Sequence, residues 1–176
     1  MAETFIEMLA VGGKSNSLGK VNEVIEIVLA DQLRLDELYD CLFDEDAWIR
    51  MRAADALEKI CRQHSEWLQP YIDRLSTDLA TSTQPSIQWH MAQIYGEVEL
   101  TKEQKEFAIN WLKRLLSTKE VDWIVAANAM DTLVQFAKTG ALSTTEVIPL
   151  LKIQQKHRSN AVIRRADKLL AELATT

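Results

Sequence analysis

The sequence of 176 residues predicts an all-α protein, a pile of about five helical hairpins in one domain over residues 1–176. Three observations predict this. A pattern carried by Ile49-Arg50-Met51-Arg52-Ala53-Ala54-Asp55-Ala56-Leu57-Glu58-Lys59-Ile60 returns in the stretches ending at Val98, Leu133 and Leu173, at intervals of 38, 35 and 40 residues. Repetition at that period marks stacked supersecondary units, each too small to bury its apolar face alone. Only five glycines and three prolines occur, and alternating β-branched runs are absent, so little material remains for hairpin turns or sheets. Finally, apolar residues recur at i, i+3, i+4 and i+7 along nearly the whole chain, the spacing of amphipathic helices.

That spacing predicts ten helices, near 3–10, 16–30, 33–43, 46–63, 65–80, 84–98, 102–117, 120–138, 143–157 and 159–174. The first ends at Gly12-Gly13, and short connections then pair the rest as antiparallel neighbours. The second hairpin turns through the acidic run Phe43-Asp44-Glu45-Asp46 into the repeated motif. Pro70 and Pro149 each fall inside the first helix of a hairpin, where a missing donor and a ring clash bend the helix. Thr101 caps the helix that follows it, Ser143-Thr144-Thr145-Glu146 has the form of a capping box, and Gly140 supplies a stop.

Composition bounds function. Forty-seven per cent hydrophobic residues suit a packed globular chain, and 20 basic against 26 acidic side chains give a formal charge of −6. That balance repels phosphate backbones and anionic lipid at long range, although a local basic patch remains open. No apolar run reaches the roughly 18 residues of a membrane span, and the acidic start lacks a secretory basic region. Cys41 and Cys61 sit inside helical apolar patterns and read as buried hydrophobes of a reducing cytoplasm. No cofactor is implied. Gly12-Gly13-Lys14-Ser15 mimics the end of a phosphate loop, but Met8 replaces the required glycine and no strand precedes it. His64, His90 and His157 lie in different hairpins, and no Cys or His pair has zinc spacing. The five tryptophans, at helical spacing, read first as core.

The run Asp44-Glu45-Asp46-Ala47-Trp48-Ile49-Arg50-Met51-Arg52-Ala53-Ala54-Asp55-Ala56-Leu57 resembles the inter-helix turn and second helix of a HEAT repeat, with its acidic turn, aliphatic-Arg pair and small packed face. The resemblance is strong over 33–63, fair over 65–98 and 143–174, and weak over 102–138, where Asp122 falls in the aliphatic slot and Trp123 in the arginine slot. It implies a right-handed α-α superhelix of the HEAT-like, armadillo type, whose second helices line a concave surface that binds other macromolecules.

At 100° per residue, Ile49, Ala53, Ala56, Leu57 and Ile60 share one stripe, while Met51, Asp55 and Glu58 point away. Carried through the repeats, the outermost position is held by Gly19, Met51, Trp89, Ile124 and Arg164, and the next by Glu23, Asp55, Gln93, Asn128 and Lys168. The expected surface is an apolar strip of Met51, Trp89 and Ile124 with acid at one end and base at the other, which suits a protein or peptide. A flanking column of Lys20, Arg52, His90 and Arg165 reads as polar groups shared between adjacent hairpins, with a phosphate-reading rail as the other interpretation. Arg50 is expected to bridge to an acidic turn. The function expected is therefore a non-enzymatic scaffold. The alternative is a nucleic-acid-binding relative of the DNA alkylation-repair glycosylases, casting Trp89 and Asp55 against a lesion and Arg165 against the backbone; the net charge speaks against it. The amphipathic terminal helices either cap the core or join a second copy, which leaves a homodimer open.

Overall fold

A computed structural model describes residues 3–175, in which helices are joined by turns and loops with no strand among them. Eleven α-helices are present among them: α1 (Phe5–Ala10), α2 (Val21–Ala30), α3 (Leu35–Asp40), α4 (Ala47–Gln63), α5 (Ser65–Leu68), α6 (Ile72–Asp78), α7 (Pro85–Glu97), α8 (Lys102–Leu116), α9 (Trp123–Lys138), α10 (Thr144–Gln154) and α11 (Asn160–Ala174). Ten expected helices become eleven because Pro70 interrupts one of them. The chain turns through a 3-10 segment, Gln69–Tyr71, between α5 and α6. Helix α10, by contrast, runs on through Pro149.

Helix starts follow local chemistry. Thr4, Thr101 and Ser143 form capping boxes with Glu7, Gln104 and Glu146. Asp46 and Asp122 accept from the amides of Trp48 and Ile124 at 2.8 and 2.9 Å. Each such cap is worth about 1 kcal/mol. Pro85 opens α7 at a position where its missing N–H costs nothing. Helix α2 starts at Val21, five residues later than the apolar spacing suggests, because residues 16–20 are held in a loop described below.

The chain forms two compact units, Met1–Pro70 and Tyr71–Thr176. In the first, α4 is the centre: α1, α2 and α3 pack on it, and Ile49, Ala53, Ala56, Leu57 and Ile60 are buried as the stripe requires. Glu58 departs from the expected pattern. It is only 2% exposed and pairs with the more exposed Arg62 one turn on. Cys41 and Cys61 are buried free thiols, and burial beside Glu37, Asp44 and Asp40 pushes Cys41 up to about 12.

The second unit has two layers. First helices α6, α8 and α10 lie side by side, and second helices α7, α9 and α11 pack against one another behind them. Side chains of one hairpin pin the turn of the hairpin before it. The Trp111 indole donates to the Ala80 carbonyl at 3.1 Å, and the Gln154 amide donates to the Leu116 and Thr118 carbonyls at 3.0 and 2.9 Å. Thr132 and Gln135 of α9 donate to the Ala92 and Gly96 carbonyls of α7, both at 2.8 Å. Of these, the bonds to Leu116 and Gly96 satisfy helix-end carbonyls that have no donor within the helix.

Candidate functional site

The cap residues give each second helix a common origin. Counting from the first helical residue, Met51, Trp89 and Arg164 are all fifth, while Asp55, Gln93 and Lys168 are all ninth. Helix α9 begins at Trp123, so its fifth and ninth residues are Ala127 and Asp131. Ile124 and Asn128, expected at these places, are second and sixth. The signal that fixes the frame is Asp122: it stands where Asp46 stands, as the helix cap, and not in an aliphatic slot. The apolar residues of this register are therefore Met51 in the N-terminal unit and Trp89 in the C-terminal unit, with alanine at the fifth position of α9.

Met51 and Trp89 are each half-buried. The Trp89 indole lies 5.1 Å from the imidazole of His90 at 51°, and His90 Nδ1 bonds the Gln93 side-chain oxygen at 3.1 Å. Because His90 is only 6% exposed, it forms a fixed wall for the indole. Asp55 pairs with Lys59 at 2.8 Å, Asn128 donates to the Ile124 carbonyl at 2.9 Å, and Lys168 stands 4.0 Å from Glu172. Arg164 is exposed.

The sixth-residue column holds Arg52, His90, Asn128 and Arg165, and its members do different jobs. Arg52 is fully buried. Its guanidinium donates to the carbonyls of Leu9, Gly13, Ser15 and Ser17 at 2.8, 2.7, 3.2 and 2.8 Å, so the loop between α1 and α2 closes around it as a ring of acceptors. This removes Arg52 from any phosphate rail. It also explains why Gly12-Gly13-Lys14-Ser15 is no phosphate loop: its carbonyls face inward toward a cation, whereas phosphate needs amides facing inward. Arg165 makes a bidentate pair with Asp131 at 2.6 and 2.5 Å, which raises its pKa. Lys20 pairs with Glu3 at 2.7 Å. Arg50 reaches the acidic turn through the main chain, donating to the Asp44 and Glu45 carbonyls at 2.7 and 2.9 Å.

Grooves occur on both layers of the second unit. On the second-helix side, α9 and α11 flank a groove of about 360 Å³ lined by Val134 and Leu169 and crossed by the Arg165–Asp131 and Lys138–Glu172 pairs. On the first-helix side, α8 borders grooves of about 620 and 650 Å³ that share Asn110 and Lys113. No repeat pattern marks this side, since its walls come from α8, α10 and the turn between α9 and α10. Among the described residues no cluster of three or more His, Cys, Asp or Glu side chains could hold a metal ion, and no helix is long and apolar enough to cross a membrane.

A family model for the HEAT repeat domain matches residues 13–126, which is more than half of the chain. No curated protein and no solved structure matches it. The match takes in the strong hairpin around α4, the α7 hairpin and the start of α9, the same elements whose caps set one register. The described residues form helical hairpins, the fold class of α-α superhelices, and the chain belongs to the HEAT repeat family.

Proposed function

We propose that residues 1–176 act as one non-enzymatic scaffold that holds a protein or peptide on the exposed face of its second helices, in the cytoplasm. HEAT repeat domains are generally scaffolds and often mediate protein interactions. The observation that carries the reading is Trp89. A partly buried indole set against a buried histidine costs little to order, and such pre-organised aromatics dominate protein interfaces. Met51 at the equivalent place and the exposed Arg164 and Lys168 extend the same chemistry. Two buried free thiols fit a reducing compartment.

The nucleic-acid alternative loses its cations. Arg52 is enclosed, Arg165 is tied to Asp131 and Lys20 to Glu3, while the acid cast against a lesion, Asp55, is paired with Lys59.

The test is affinity capture from native lysate on immobilised wild-type and Trp89→Ala chains, followed by titration of the recovered protein. Trp89→Ala is expected to weaken binding by about 2–4 kcal/mol with helical circular dichroism unchanged. Equal recovery on both chains, or a variant that no longer folds, defeats the assignment.

A further inference from the structure

Charge in this chain is unevenly distributed. Residues 107–119 and 147–166 together hold eight Lys and Arg side chains and no Asp or Glu. The rest of the chain therefore carries 12 basic against 26 acidic residues, a formal −14 that the two segments bring up to −6. The fold sets parts of these segments side by side. The α8–α9 turn and the α10–α11 turn are joined by the two Gln154 bonds and by His157, whose Nε2 lies 2.8 Å from the Val121 carbonyl. His157 Nδ1 accepts from the Ser159 amide at 2.9 Å, so the buried imidazole carries its proton on Nε2 and serves as a neutral strut.

On this joined edge Arg114, Lys156 and Arg158 are exposed and make no ion pair among the described residues. Lys119 is exposed too, with Glu120 a loose 3.9 Å away. The remaining acid of the turn, Asp122, is spent on the α9 cap. Beside them Trp123, the first residue of α9, is 50% exposed. An exposed indole flanked by cations without ion-pair partners has the composition of a protein-binding hot spot.

We propose that this turn edge of the C-terminal unit is a second docking surface, and that its occupant is a short acidic segment of a partner protein carrying an apolar residue for Trp123. A short run of carboxylates fits because fields die away within about 8 Å at physiological salt, so it meets the edge alone. A long nucleic acid would extend past the edge onto the strongly acidic remainder. This surface lies outside the second-helix face and stands or falls independently of it.

The experiment uses the full chain and a short fluorescein-labelled peptide of Asp and Glu around a central Phe-Leu pair, read by polarisation at about 0.15 M salt. Saturable binding is expected. It should fall at least ~10-fold for Lys156→Glu/Arg158→Glu and for Trp123→Ser, while Lys102→Glu/Lys105→Glu, the same charge change at the far end of α8, should shift it less than ~2-fold. Lys156→Gln/Arg158→Gln repeats the test without added acid. Absence of saturable binding overturns the proposal, as does equal loss in both charge-reversed pairs. Displacement of the peptide by less unlabelled oligo-dT or anionic vesicle than unlabelled peptide does so as well, assigning the edge to nucleic acid or to lipid.

Discussion

Arg52 in the N-terminal unit and Arg165 in the C-terminal unit occupy the same place in their repeats, sixth in the second helix, yet have opposite physical lives. Ten residues separate α1 from α2, enough to fold back over Arg52 and surround its guanidinium with four carbonyls. Only six residues separate α8 from α9, the matching turn in the hairpin before Arg165, and Arg165 instead lies half-exposed against Asp131. Repeat register decides where a side chain starts, and the connection decides what surrounds it. A buried guanidinium without a carboxylate is tolerable only when its donors meet acceptors in fork geometry.

The comparison breaks most visibly at Arg52. Arg52→Ala is expected to destabilise the chain by about 3–5 kcal/mol in urea unfolding, since four carbonyls lose a charged donor. Arg52→Lys should recover little of this, because an ammonium cannot span the same four acceptors. A loss below about 1 kcal/mol for Arg52→Ala would mean that water serves those carbonyls equally well.

Glycines sharpen the contrast next. Gly19 has φ +52, and a Cβ there would overlap the Val11 carbonyl, which is main chain and has nowhere to go. Gly140 has φ +77 but nothing within 4 Å. Gly19→Ala should therefore cost about 2–4 kcal/mol and Gly140→Ala only about 1–2 kcal/mol from the left-handed backbone alone. Equal losses in thermal melts would show that the α1–α2 loop gives way instead of clashing.

The smallest effect is expected at the exposed pair. Arg165→Ala should cost no more than about 1 kcal/mol, and added salt should shrink the difference. The neighbouring carboxylate Glu172 is held below its usual range chiefly by Lys138. Its contribution is present above the ordinary carboxylate value of 4.5 and is lost as pH falls through the lowered one. Acid titration of wild type and Lys138→Ala should diverge only above that window. Arg52→Ala, lacking a carboxylate partner, should show no such closing of the gap.

Much of the fold was legible because it rests on local chemistry. Capping residues at Thr101 and Ser143 and the stop at Gly140 act within one or two turns of helix, and the buried stripe of α4 follows from 3.6 residues per turn, whereas Pro70 divides a helix it was expected only to bend. The register of the second helices was half legible. Met51, Trp89, Arg164 and Lys168 kept their places because their helices begin where the pattern begins, whereas Ile124 and Asn128 shifted because a capping aspartate was read as a core position.

The sequence by itself determined that this is a stack of α-hairpins, which residues face the layers between helices, and that the chain is acidic overall, since periodicity and composition are properties of the chain alone. Only the tertiary structure decided that Arg52 is enclosed while Arg165 is not, and that the basic residues of two separate turns meet beside Trp123. Those outcomes depend on loops closing and on neighbouring hairpins meeting, contacts between residues more than thirty positions apart whose enthalpy no local pattern encodes.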